Sequence, residues 1–417
     1  MSDARDRVRR VVEKSAQVVI VAGLVGAVTG FGVAGFERIV VDGLLDHINE
    51  LPLWVVGVAP TVGLLLALGA LTLIGRGTSS ATSDEYLRSF HDPGVHLSIR
   101  ALAARMTASI ATLGFGGAMG LEGPSLYLGA TLGSQTQRRL PRLFRDADRR
   151  LLMVAGAAAG VAAIFKAPAT GAIFAIEVPY QDDLARRLLL PALVSAATGY
   201  LAFVAINGTD RLFPIAGEPT FNFRDLVGSL ALGVAAGLAA RGFAAMVLKA
   251  KQLSARPNVL HPLIGGALLG AIFVVTRLAT GETLTLGPGY NTIAWALDPH
   301  HSAWLVLLVF VLRCSATTAT VGGGGAGGLF IPLVVGGALM GRVIGGAVQS
   351  LNTTLFVVIG VAAFLGAGYR VPLAAVIFVA ETTGRPGFVV PGLLAAVAAE
   401  LTMGRGSITA YQTTAGR

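Results

Sequence analysis

Charge is scarce in this chain. Only 13% of its 417 residues are Asp, Glu, Lys or Arg, while 54% are hydrophobic and the mean hydropathy is +0.71. A soluble domain is about one quarter charged, so an integral membrane protein is expected. The regular polar–apolar alternation of barrel strands is lacking, which leaves a helical bundle. Cysteine occurs once, at Cys314, which excludes an intramolecular disulfide and points to simple packing. No histidine or paired aspartate lies well inside an apolar run, so the side-chain constellations of an intramembrane hydrolase are missing and no enzyme is expected. Linkers, low-complexity tracts and soluble modules are also missing. One transmembrane domain over residues 1–417 is expected, with nothing regulatory after Tyr411.

The segment 41–55 has no Lys or Arg but contains Asp42, Asp46 and Glu50. Basic residues collect elsewhere, at Arg5, Arg7, Arg9 and Arg10, at Arg138, Arg139, Arg142, Arg145, Arg149 and Arg150, and at Lys249, Lys251 and Arg256. The positive-inside rule then places both termini and the basic loops in the cytoplasm and segment 41–55 outside, in what is expected to be a bacterial inner membrane. These arginines flank spans and lack interleaved aromatics, so no nucleic-acid partner is expected. The apolar stretch from about Val18 to Phe36 has no clear small-residue cleavage pattern and reads as a retained first helix. At roughly 20 residues per span, the length allows on the order of a dozen crossings, some broken or re-entrant.

What is abundant is repetition. Arg105-x₁₄-Gly120-x₃-Pro124-x₄-Gly129-Ala130-x₂-Gly133 recurs as Arg313-x₁₄-Gly328-x₃-Pro332-x₄-Gly337-Ala338-x₂-Gly341. Gly156, Pro168 and Glu177 recur at the same spacing as Gly360, Pro372 and Glu381. The offset is 208 residues in the first block (328 minus 120) and 204 in the second (360 minus 156), so one connection is four residues shorter. Repeat one is placed at about 15–205 and repeat two at about 225–403, with 404–417 as a short C-terminal segment. Duplicated membrane segments interrupted by Gly and Pro mark a transporter whose halves meet around a site near the bilayer midplane.

Glu122 lies in Gly120-Leu-Glu-Gly-Pro124, where Gly and Pro mark a helix start in an apolar zone. A carboxylate there is costly without a task or a partner. It either takes part in transport or is satisfied by the amides of its own helix start. The matching place in the second copy is Gly328-Leu-Phe-Ile-Pro332, preceded by the glycine-rich run 322–328. Bare amides at such a start, with the helix dipole behind them, attract anions. No Gly-Lys-Ser/Thr follows the glycines, so a nucleotide phosphate loop is excluded. Asp298, His300 and His301 could suggest a metal, but they lack a defined ligand spacing and read as a solvated loop.

Gly120-Leu-Glu-Gly-Pro124 and Gly328-Leu-Phe-Ile-Pro332 resemble the Gly-Lys/Arg-Glu-Gly-Pro and Gly-x-Phe-x-Pro segments of the CLC family of chloride channels and chloride–proton antiporters. Arg105, Glu177, Arg313 and Glu381 extend the resemblance over essentially the whole chain. It implies an all-α membrane fold of two inverted repeats and about eighteen helices, of the prokaryotic type without a cytosolic regulatory domain. It also implies a homodimer with one pore per subunit. The substrates implied are inorganic anions, chloride above all; no cofactor is expected beyond the transported ion.

By the same resemblance, Glu122 is the gating carboxylate, and the anion site is built from Gly123, the amides of Leu329 and Phe330, and the Tyr411 hydroxyl. Tyr411 also reads as an interfacial belt tyrosine. The early Gly-Ser-Gly-Ile-Pro segment of the family is matched poorly by Gly77-Thr-Ser-Ser-Ala81, in which Thr78 or Ser79 is expected to supply the hydroxyl. That departure leaves fluoride or nitrate relatives in view, although no Asn-rich version of the segment is present. Leu121 replaces a basic residue at the outer entrance, and Val178 replaces the second, proton-carrying Glu beside Glu177. Valine cannot titrate, so an uncoupled channel is favoured over antiport, with Glu177 and water as the remaining proton route. Arg105 is expected to draw anions along the path. For Arg313 and Glu381, burial against a carboxylate or a helix end is expected instead.

Overall fold

Glycine and proline interrupt the apolar runs at matching places in both copies, and the helices of the computed structural model begin and end at those interruptions. The structure describes residues 2–145, 147–210, 212–213, 221–348 and 353–414. The side chains of Arg5, Arg7, Arg9 and Arg10, expected on the cytoplasmic side, lie outside the described residues, as do residues 415–417 of the C-terminal segment.

In the first half α1 (Ser2–Val40) continues through a π turn (Val41–Leu45) into α2 (Asp46–Asn49). Then come α3 (Leu53–Gly69), α4 (Ser83–His91), α5 (Ile99–Gly114), α6 (Glu122–Arg139), α7 (Leu151–Phe165), α8 (Pro168–Glu177) and α9 (Leu189–Asn207). The second half holds α10 (Phe223–Leu253), α11 (Leu260–Thr280), α12 (Tyr290–Ala296), α13 (Ala303–Gly322), α14 (Phe330–Ala347), α15 (Thr353–Tyr369), α16 (Pro372–Thr383) and α17 (Val389–Met403). With α1 and α2 as one continuous rod, the described residues form 16 helices and no strand. That is fewer than the eighteen or so expected. The C-terminal segment forms no helix: Gly404, at φ +67°, ends α17, and bonds of Ser407, Thr409 and Gln412 then hold the chain irregular. Among the described residues, eight helices are long and apolar enough to cross a membrane. Their outward side chains, such as Leu278 and Leu401, are broadly exposed, as befits a protein whose solvent is lipid.

The halves repeat each other in packing. α1 lies on α9 as α10 lies on α17, and α6 pairs with α7 as α14 pairs with α15. The last two pairs meet at glycine: Gly129 faces the Gly156 carbonyl and Gly337 faces the Gly360 carbonyl, each so closely that a β-carbon would overlap backbone. Small residues give this approach where no hydrophobic effect drives helices together. At the ends of α7 and α15, Lys166 (φ 53°) and Arg370 (φ 57°) take the left-handed conformation. Ala167 and Val371 follow, held out of the helical region by Pro168 and Pro372, which open α8 and α16.

Two repeat-related sets of contacts are among those that join the halves. Gly120 and Gly328 exchange backbone hydrogen bonds at 2.9 and 2.7 Å. Glu177, at the end of α8, accepts from the amides of Leu373 (3.0 Å) and Ala374 (2.8 Å) at the start of α16. Glu381, in α16, accepts from Ala169 (2.9 Å) and Thr170 (2.7 Å) at the start of α8, and from the Thr170 hydroxyl. Each carboxylate thus caps the other half's helix, meeting amides that no intrahelical carbonyl can satisfy. A buried pairing of the repeat arginines with Glu177 or Glu381 does not form. Arg105 meets Glu85 at 3.3 Å, and Arg313 donates to the carbonyls of Leu284, Leu286, Gly287 and Pro288.

Candidate functional site

Glu122 begins α6 and Phe330 begins α14, so the two repeat-related helix starts face each other across the Gly120–Gly328 bridge. The Glu122 side chain reaches into the opposite half. Its Oε1 accepts from the Phe330 amide at 2.6 Å and from the Ile331 amide at 3.4 Å. Its Oε2 has no hydrogen-bond partner, and the residue is 3% exposed. A free carboxylate so buried is costly, and the compensation comes from the amides and the roughly half positive charge at a helix start. The carboxylate therefore occupies an amide nest that suits any small monovalent anion. Room for it depends on Gly328, where a β-carbon would overlap Glu122 Oε1. Gly123 packs against Gly328 and the Thr82 hydroxyl together.

A cavity of about 430 Å³ runs to Leu329 from the side on which Lys251 and Arg88 lie. Thr78, Ser79, Thr82, Tyr369 and Tyr411 are among its walls. Thr78 turns its hydroxyl to the Gly75 carbonyl at 2.6 Å. Ser79 is engaged by Arg105, which reaches both its carbonyl and its hydroxyl at 3.1 Å. The same guanidinium bonds the Tyr127 hydroxyl and lies over that ring, so Arg105 braces the wall at least as much as it charges it. Thr82, at the start of α4, donates to the Gly327 carbonyl at 3.2 Å and lies nearer the glycine bridge than Thr78 does. Tyr411 is 43% exposed in the cavity wall. Glu177 stands apart from Glu122, on the α16 cap, and Val178 beside it is buried with its carbonyl held by Gln412.

Tyr369 escaped the sequence reading. This fully buried residue at the end of α15 lines the cavity together with Leu329 and Ser83. The signal for it was in the repeat. At the 204-residue offset Tyr369 matches Phe165, and Phe378 matches Phe174 (369 minus 165; 378 minus 174). All four rings surround Phe330, at centroid distances of 4.4 Å for Phe165, 5.3 Å for Phe174, 4.9 Å for Phe378 and 6.4 Å for Tyr369. Two repeat-related pairs thus enclose one aromatic residue, and the one of the four that carries a hydroxyl also lines the cavity that reaches Leu329. A further pair was also missed: Lys251 bonds Asp84 at 2.6 Å and the Ile408 carbonyl at 3.0 Å, tying α10, α4 and the C-terminal segment together at the cavity mouth. In the loop suggestive of a metal, His301 stacks on Trp295 and Asp298 accepts from the His300 amide; no group of three metal-binding side chains forms among the described residues.

A family model described as voltage gated chloride channel matches residues 63–404. The chain is 28% identical to a putative chloride channel protein ClcB-like of Ralstonia nicotianae, over 92% of this chain and 93% of that one. It is 27% identical to the H(+)/Cl(-) exchange transporter ClcA of Vibrio parahaemolyticus, over 92% and 85%. Among solved structures it resembles a CLC-type fluoride/proton antiporter (TM-score 0.81, 22% identity, 96% and 98% covered). It also resembles a slow cyanobacterial Cl-/H+ antiporter (TM-score 0.79, 20% identity, 93% and 94% covered).

Proposed function

This chain belongs to the voltage gated chloride channel family, and from that premise we propose that it moves chloride through a pathway gated by Glu122. One observation carries the proposal: Glu122 Oε1 lies on the Phe330 amide, in the place a transported anion would take. A carboxylate and a chloride carry the same charge and compete for the same donors. The pathway opens when the side chain is protonated or displaced, because the nest then faces an ion instead of its own plug. The full site comprises Gly123, the Leu329 and Phe330 amides and a hydroxyl from the wall that holds Thr78, Ser79 and Tyr411. No catalytic step is assigned. Chloride is favoured over fluoride because the relatives found by sequence bear chloride in their names, whereas the likeness to the fluoride antiporter carries the fold alone.

Passive flow is supported by the inner end of the proton route. Val178 cannot titrate, and both oxygens of Glu177 are engaged by the α16 amides. A second reading, proton-coupled exchange, is supported by the ClcA relatives, which are named as exchangers. Repeat-related faces of α9 and α17 expose Leu190, Leu201, Val390 and Leu401. They favour a homodimer in the inner membrane, with the basic loops and both termini in the cytoplasm.

The test is chloride efflux from proteoliposomes at clamped potential, with external pH recorded. Chloride loss without proton movement supports passive flow. Proton uptake against its gradient establishes exchange, and no anion flux of any kind overturns the proposal.

A further inference from the structure

The last turn of α6 and the loop to α7 together hold six arginines, and the transport pathway uses none of them. The loop folds back on the bundle and is fixed there. Phe144 is buried against Ala22, Val25, Leu152 and Ala155, and Gln137 donates to the Asp148 carbonyl while accepting from the Leu152 amide. Arg149 donates to the carbonyls of Ser89 and Phe90 at the end of α4, at 2.9 and 3.0 Å. Between this loop and the ends of α4 and α6 lies a second cavity, of about 510 Å³.

Its wall carries Arg138, Arg145, Arg149, His96, Ser134 and Ser89 and, among the described residues, no carboxylate. Asp148 of the loop is committed to Arg150 at 2.7 Å. Arg138 and Arg145 make no ion pair among the described residues. Three guanidiniums around one hollow repel each other, and their forked donors match tetrahedral oxyanions. The hollow sits where α6 and α7 end, beside the exposed Leu140, which is the level at which a helix leaves the hydrocarbon for the headgroups.

We infer that this cavity binds a phosphate-bearing anion, of the chemistry displayed by an anionic phospholipid headgroup. The positive-inside rule puts it on the cytoplasmic leaflet. The inference does not depend on whether Glu122 gates chloride, since the two sites share no residue.

The experiment uses the purified full-length chain in neutral detergent at about 0.15 M salt, where charges beyond roughly 8 Å are largely screened. Binding of short-chain phosphatidylglycerol is titrated by native mass spectrometry, with inorganic phosphate as competitor. The double variant Arg138→Gln/Arg145→Gln empties the wall of two charges. Arg139→Gln/Arg142→Gln removes the same charge from the same loop outside the wall. Expected are one saturable lipid per chain, affinity weakened about tenfold or more in the first variant, and a change under about twofold in the second. Displacement by inorganic phosphate at equal affinity would identify a soluble phosphate as the ligand, and much tighter lipid binding would identify the headgroup; both sustain the site. Equal weakening in the two variants, or no saturable binding, overturns it. Unchanged melting temperatures and chloride flux in both variants separate loss of the site from misfolding.

Discussion

Glu122 Oε1 and the Phe330 amide nitrogen, 208 residues apart in sequence, stand 2.6 Å from each other. They are the first helical residues of α6 and α14, so a side chain from one repeat fills the helix start of the other. Anything that removes its charge or its bulk uncovers that start to whatever anion the cavity admits.

Replacing the carboxylate should therefore separate flux from pH. In Glu122→Ala, chloride efflux is expected to persist and to vary by less than about twofold between roughly pH 5 and pH 8, a range over which a buried carboxyl can titrate. Efflux from proteoliposomes at stepped pH checks this. A variant as pH-dependent as the parent removes Glu122 from gating.

The two tyrosines of the cavity should differ. Tyr369→Phe takes a hydroxyl from a fully buried place in the cavity that reaches Leu329, and chloride binding is expected to weaken about fivefold to thirtyfold, or roughly 1–2 kcal/mol. Tyr411→Phe, at an exposed ring, is expected to change it less than about twofold. Calorimetric chloride titration ranks them, and the opposite order would return the role to Tyr411.

Stability should depend on the crossed caps. In Glu177→Gln or Glu381→Gln an NH₂ group must face an amide N–H, and each change is expected to cost about 1–3 kcal/mol. Glu282→Gln, at an exposed position, should stay within about 0.5 kcal/mol. Thermal unfolding in detergent compares the three, and equal melting would mean that the caps hold nothing.

Acid should loosen the basic loop. Partial burial alone would raise the Asp148 carboxyl, but hydrogen bonds from Arg150 outweigh this and hold it below its ordinary 3.8. A group lowered in the folded chain stabilises above its unfolded value, and that stability is lost as pH falls through the folded value. Because the pair is about one third exposed, the effect is at most about 1 kcal/mol. Asp148→Asn should melt slightly lower than the parent near pH 7, with the gap narrowing as pH falls below the ordinary 3.8, and a constant gap between them would count against the pairing.

Much of this was legible because duplication leaves spacing behind. Pro168 and Pro372 mark the helix starts, Gly129 and Gly337 the close packing, and Glu122 the costly charge. Partners were harder to read than positions. Arg313 gives no sequence sign that it will meet carbonyls instead of a carboxylate, since backbone acceptors carry no letter. Thr78 and Thr82 are both hydroxyls in one irregular stretch, and only the fold decides which lies near Gly123. Tyr411 drew attention through the family resemblance, while Tyr369 sat in an apolar helix where a ring is ordinarily packing.

The crossing of Glu177 and Glu381 also sets a schedule for synthesis. When α8 leaves the ribosome, the acid that will cap it lies 211 residues downstream of Thr170. At roughly 5–20 residues per second that is a wait on the order of ten to forty seconds. During that time the first amides of α8 must find another acceptor, from water, lipid or the insertion machinery. Truncated chains that stop before α16 should therefore be held by that machinery longer than chains that include it.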